Sequence, residues 1–361
     1  MPDVDYRVAT TTDETILGEI LRDAPMAGWV RLLLLREPSY FAADALLGDA
    51  VTVVAQHGDE PVGLCRLQRL PAWVNGRPMR TGYLAGLRVL PAFRHRLSVL
   101  RKGFAALRTL GLEGDIRPVC FTSIADDNTA AKRLLEAGLP KMPVYRPLGH
   151  LHTLAFSSRH GRRGSTLRQA TIADIPALVA FHSRHAAQWQ FSPCLSEDWL
   201  LNMGHAQALA IEDFWLCEEQ GQLRACVAVW DQRHVKQTVA QSYRAPLDLL
   251  RSVYNGYAFL TRRIGLPAPG QALNQAYLAF FASSLPSEAS LALLREVLWQ
   301  VRERGIAVAV LGLAAANPLR EILQRAFSAT VYQTSIDSVC FVGDPPADID
   351  DRPPQPEAAL L

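Results

Sequence analysis

The chain has 361 residues, 37 Lys and Arg against 35 Asp and Glu, a formal charge of +2, and is 49% hydrophobic and 20% charged. This length exceeds what one hydrophobic core usually serves and predicts two domains, while the composition excludes disorder over most of the chain. The near-zero charge supplies no global pull toward nucleic acid. No apolar run reaches the roughly 18 residues of a membrane span, and the start lacks a signal-peptide layout, so a cytoplasmic protein without a membrane partner is expected.

Taken in chain order, Arg7-Val-Ala-Thr-Thr-Thr-Asp13 supplies capping residues to a helix whose stripe is Ile16, Leu17, Ile20 and Leu21. Residues 51–65 read as two strands turning at Gly58. A strand over 82–89, a loop, a helix over 97–110 and a strand over 118–124 imply a right-handed parallel crossover inside an otherwise antiparallel sheet. Asn128 starts a further helix that ends at Gly138, and Val144-Tyr145 lies in the next strand. A polar, glycine-rich linker occupies 157–165, and the order then begins again. Arg168-Gln-Ala-Thr-Ile-Ala-Asp174 repeats the R-x-A-T-x-x-D pattern ahead of Ile175, Leu178, Val179 and Phe181, and residues 214–228 repeat the hairpin around Gly221. The helix from Asn317 and the strand with Val331-Tyr332 complete the second copy after a shift of about 25 residues. Residues 244–264 fit that insertion as a helix with Leu247, Leu250, Tyr254, Tyr257 and Ile264 on one face. The fold class is mixed α/β (α+β), with domains at 1–156 and 166–342, and a proline-rich acidic tail, 343–361, expected to be disordered.

The six cysteines, Cys65, Cys120, Cys194, Cys217, Cys226 and Cys340, form no CxxC pair and sit mostly in apolar runs, so buried thiols and no metal are expected. Residues 61–112 contain no Asp or Glu, while Arg66, Arg69, Arg77, Arg80, Arg88, Arg94, Arg96, Arg101, Lys102 and Arg108 all fall within them. Such a stretch favours an anion, and it surrounds a helix start where amides and the helix dipole favour phosphate. The competing reading is a solvated surface paired with acids such as Asp115, Asp126 or Asp127. Nucleic acid is disfavoured by the total charge and the few flanking aromatics. Residues 265–287, the matching part of the second half, carry no charge. Asn128 reads first as a helix cap, Tyr83 and Tyr145 as sheet aromatics, and Trp189, Trp199, Trp215 and Trp230 as core.

This element order, with Val89-Leu-Pro91 and Arg94 beginning a V-x-P-x-x-[QR]-x-x-G-x-[GA] stretch and Asn128, Ala131 and Leu134 forming N-x-x-A-x-x-L, resembles the GNAT superfamily of N-acetyltransferases. The likeness covers about 6–156 well and 167–341 more loosely. It implies two tandem GNAT-like domains, each a mostly antiparallel sheet with a central parallel strand pair flanked by helices. It further implies that acetyl-CoA, or another acyl-CoA, binds the first half through Leu87, Val89, Arg94, His95, Arg96, Leu97, Ser98, Val99 and Asn128. The acyl group would pass by direct attack to an amine on a small molecule or protein. The sequence departs from the family at Leu97 and Val99, where two small residues are usual, and at Leu135, where many members carry an acid tyrosine. Pro286 is followed by no Arg or Gln, so the second half lacks the loop. No carboxylate base lies in 61–112, which leaves Tyr83, a water chain or a group from the second half, and the catalytic residues are unassigned. A non-catalytic tandem protein that binds a CoA-type ligand or a partner protein is the alternative.

Overall fold

The computed structural model describes residues 4–23, 25, 30–42, 44, 49–58, 60–112, 118–202 and 209–361. The first half runs β1 Asp5–Val8, α1 Glu14–Arg22, β2 Val30–Leu35, β3 Asp49–His57, β4 Glu60–Val74, β5 Arg77–Val89, α2 Leu97–Gly111, β6 Val119–Ala125, α3 Thr129–Leu135 and β7 Val144–Ser157. The second runs β8 Leu167–Gln169, α4 Ile175–Ala186, α5 Glu197–Leu201, β9 Phe214–Glu219, β10 Gln222–Trp230, β11 Gln237–Tyr243, α6 Leu247–Leu260, β12 Gln271–Ala272, β13 Gln275–Ser283, α7 Ser287–Glu303, β14 Val308–Ala314, α8 Leu319–Ala326 and β15 Thr330–Cys340.

The repeat in the sequence becomes a palindrome in space. One sheet of 12 strands has the order β1-β3-β4-β5-β6-β15-β7-β14-β13-β10-β9-β8. Its only parallel neighbours among the described residues are β5 with β6 and β13 with β14. Val53 on β3 and Leu216 on β9 each lie on the second strand from an edge. The centre departs from two separate sheets. β15 from the end of the second half pairs with β6 along Thr334–Val339, and β7 from the first half pairs with β14 along Leu151–Ser157. Each half is therefore closed by the other's last strand.

The shared R-x-A-T-x-x-D pattern has a physical use beyond capping. Arg7 donates to both oxygens of Asp13 at 2.8 and 2.6 Å, and Arg168 does the same to Asp174. The aspartate in turn accepts the amide of Thr10 or Thr171, so one carboxylate joins the first strand of each half to its first helix. Arg7 holds the Asp13 carboxyl down at about 2. Four of the cysteines are buried, and burial pushes the thiols of Cys65, Cys120 and Cys226 up to about 12.

Side chains alternate across the strands and divide the core between the two faces. Leu84, Cys120 and Ile124 join Leu100, Phe104 and Leu107 beneath α2. Tyr83 and Phe121 turn the other way into a cluster with Phe191, Phe214, Trp230 and Phe280 that spans both halves. Trp215 and Trp230 are buried, in keeping with a core role.

The tail corrects a sequence expectation. Residues 343–361, read as disordered, run across the molecule and end buried, with Ala359 fully enclosed and Ala358 and Leu360 nearly so. Asn75 Nδ2 donates to the Asp348 carbonyl at 2.9 Å, and Gln190 donates to Asp350 at 2.7 Å. Prolines and acids lower the gain from collapse, but Ala358-Ala-Leu-Leu361 is apolar enough to be drawn into the shared core.

Candidate functional site

Strands β5 and β6 run in parallel register from Thr81 opposite Val119 to Leu84 opposite Thr122, with the Thr122 hydroxyl donating to the Leu84 carbonyl at 2.8 Å. Beyond this rung they part. β6 continues beside β15, whereas β5 is turned by a bulge at Gly86, whose φ of 64° a side chain would resist. Leu87 and Val89 follow the bulge, and the chain then enters the turn of Arg94, His95 and Arg96 before α2 begins at Leu97.

On this side the start of α2 is built for an anion. The amides of Leu97 and Ser98 precede any intrahelical acceptor, the first turn holds no acidic residue, and Arg94 and Arg96 have no acidic partner among the described residues. Arg94 Nε donates to the Val89 carbonyl at 2.9 Å, which ties the turn to the end of β5, and the Arg96 guanidinium lies 5.0 Å from the Phe93 ring centroid. His95 and Ser98 are exposed. Leu97 is half-buried against the core under α2, and Val99 faces the sheet with Ala55 and Val62. The Val99 side chain thus leaves the turn open, and only its backbone can serve a ligand there. Asn128 is the N-cap of α3, accepting the Ala131 amide at 3.2 Å.

The basic stretch divides into two groups. Arg66 pairs with Asp44 at 2.5 Å, Arg69 with Asp49 at 2.8 Å and Arg108 with Asp344 at 2.6 Å, acids that all lie outside the stretch. Those three arginines are structural; of the other seven basic residues, Arg94 and Arg96 stand in the turn directly ahead of the α2 start. Asp126 is engaged with Lys132 and His150 rather than with this stretch, and Asp115 lies outside the described residues.

Beneath α2 a small apolar pocket lies beside Leu87 and Val89, walled by Tyr6, Val53, Cys65 and Phe104. On the opposite face, Tyr83 and Phe121 border a second, small cavity that the tail closes with Pro356, Glu357 and Leu360. Tyr83 shares a hydrogen bond of 2.7 Å with the Ser123 hydroxyl, and burial pushes its pKa up. Burial also pushes the Glu357 carboxyl up to about 7 and the nearby Lys236 ammonium down to about 7. Lys236 donates to the Leu361 main-chain oxygen and sits 5.6 Å from the Tyr277 ring.

Neither Glu357 nor Lys236 was legible as a site residue. Glu357 fell in the segment read as disordered, and Lys236, just ahead of β11, lay outside every motif read from the sequence. The available signal was the glutamate directly ahead of an apolar run, a charge that can enter a core only if its oxygens are satisfied.

The second half has the same parallel pair and bulge, but its cleft is filled. Phe280 occupies the place of Gly86 at a φ of 54°, and its amide donates to Glu357 Oε2 at 2.7 Å. The Ala314 amide donates to Gln355 at 2.9 Å, and the Cα of Gly312 faces Ala358 so closely that an added Cβ would lie 2.7 Å from the alanine methyl. The tail therefore lies between β13 and β14 where the first half is open. Glu288 stands in the first turn of α7, where α2 has no acid.

Among solved structures, the chain is similar to Saccharomyces cerevisiae N-myristoyltransferase with bound myristoyl-CoA, at 10% identity and a TM-score of 0.60 over 98% of this chain and 88% of that one. A GCN5-related N-acetyltransferase from Anabaena variabilis is matched at 10% identity and a TM-score of 0.49, over 93% of this chain and 72% of that one. No family model and no curated protein matches the sequence. The chain has the fold of GNAT-type acyltransferases, present as two tandem GNAT-like domains within one sheet.

Proposed function

We propose that the protein transfers an acyl group from an acyl-CoA to an amine, with the donor held by the first half. One observation carries this reading. The start of α2, preceded by Arg94 and Arg96 and without an acid in its first turn, stands beside an apolar pocket lined by Leu87 and Val89, and Glu357 borders a small buried cavity at Tyr83 and Phe121. Phosphates would meet the first-turn amides of α2 together with Arg94 and Arg96, and the pantetheine would follow Leu87 to Val89 between the strands.

The amine would enter from the Tyr83 and Phe121 side. Its nitrogen attacks the thioester carbonyl carbon, its proton passes to Glu357, the C–S bond breaks, and the thiolate leaves to take a proton from solvent. A carboxyl near 7 is half ionised at neutral pH and can act as the base that residues 61–112 lack. The rate is expected to rise with pH through about 7 as Glu357 loses its proton, and Glu357→Gln to flatten that rise while lowering kcat about 100-fold.

Release of CoA thiol, followed with a series of acyl-CoA donors from acetyl to myristoyl and a panel of amines, tests the proposal. Turnover is expected with at least one donor and amine pair. CoA binding without thiol release for any pair would support the non-catalytic alternative.

A further inference from the structure

The inserted helix α6 has no counterpart in the first half, and its apolar stripe faces solvent. Leu249 is 82% exposed, Leu260 81%, Val253 71% and Phe259 70%, with Leu250 and Tyr257 about half exposed. At helical spacing Leu249, Val253, Tyr257 and Leu260 share one side. The other side holds α6 to the molecule: Ala258 is buried, Tyr254 donates to the Ile264 carbonyl at 3.3 Å, and Asn255 exchanges hydrogen bonds with Leu266. The helix-face pattern in the sequence therefore mixes residues of both sides, since Leu250 and Tyr257 point outward. A contiguous apolar ridge of this kind marks an interaction surface.

Charge around the ridge selects the partner. Residues 244–263 contain Arg244, Arg251, Arg262 and Arg263 against a single acid, Asp248. Arg159 of the interdomain linker donates to the carbonyls of Ala258, Phe259 and Arg263 and lies 4.9 Å from the Phe259 ring, so it adds positive charge to the C-terminal end of the helix. Two copies packed through this ridge in an antiparallel manner would set Arg244 of each against Arg262 and Arg263 of the other, which is repulsive. A surface that is apolar inside and anionic at its rim matches both features: leucines and Phe259 enter the acyl boundary, and the flanking arginines reach the phosphates.

We infer that α6 seats the protein on an anionic membrane surface, lying in the plane of the interface. No helix among the described residues is long and apolar enough to cross a membrane, and surface seating requires none. The inference is independent of the acyl-transfer reading, because it rests on residues outside the β5 and β6 cleft.

Co-sedimentation of the intact protein with vesicles of phosphatidylcholine alone, and of phosphatidylcholine with phosphatidylglycerol, tests it. Binding is expected to the anionic vesicles only, to weaken as salt is raised, to be lost in the Leu249→Ser, Leu260→Ser double variant, and to fall about thirtyfold in Arg262→Ala, Arg263→Ala. All the substituted side chains are exposed, with Arg263 5.9 Å from the Tyr257 ring, and circular dichroism is to check that the variants fold; the comparison of the two vesicle types needs no variant. Equal binding to both vesicles, binding to neither, or a dimer in sedimentation equilibrium that the leucine substitutions dissociate would overturn the inference.

Discussion

His182 shows how burial at one residue becomes a property of the whole chain. It is enclosed on α4 with its ring 6.0 Å from Phe280, and burial pushes its pKa from 6.5 down to about 4. A depressed pKa contributes stability that is complete above the unfolded value and is lost as pH falls through the folded one. The chain is expected to lose up to about 3 kcal/mol from this residue as pH falls from 6.5 to below 4. Denaturant titrations of the intact protein and His182→Leu at pH 7 and pH 4 check this, since the variant should lose less stability on acidification; an equal loss would assign the acid sensitivity elsewhere. At this scale the sequence was informative where charge and backbone met. Arg94 could be placed at a helix start because its motif and the absence of acids were both visible. Val99 could not be oriented, because spacing reveals that a bulky residue is present but not that its first-turn position faces the sheet.

Strands and tail carry what one half does to the other. The hairpins, the parallel pairs and the helix between them followed from local patterns, and all stand where the repeat placed them. The exchange of β7 and β15 did not follow, because strand pairing depends on partners more than 150 residues apart in sequence and the alternation of side chains is the same with either neighbour. The tail was misread for a related reason: its composition favours solvent, and only a cleft already formed by β13 and β14 makes burial of its last residues favourable. Gly312→Ala is expected to press the tail outward through Ala358 and to cost roughly 1 to 3 kcal/mol, read as a lower Tm. An unchanged Tm would mean that the tail is not fixed in the second cleft.

For the whole molecule, the exchanged strands make each half incomplete. Residues 1–157 expressed alone would leave the β6 edge open and β7 unpaired on both sides, so the fragment is expected to aggregate or to lack a cooperative thermal transition. Independent folding of that fragment, seen as a sharp transition by circular dichroism, would show that the exchange is dispensable. The arrangement also accounts for the asymmetry between halves: one parallel pair opens beside Arg94 and Arg96, and the other is filled by the tail beside Glu288. Under the proposed function the first half alone holds the CoA moiety. Calorimetric titration of CoA into the intact protein and into Arg94→Ala, Arg96→Ala is the test. One site per chain is predicted, weakened in the variant by about 1 to 3 kcal/mol, the usual loss for charge-assisted hydrogen bonds. Two sites, no binding, or an affinity unchanged by the substitutions would contradict it.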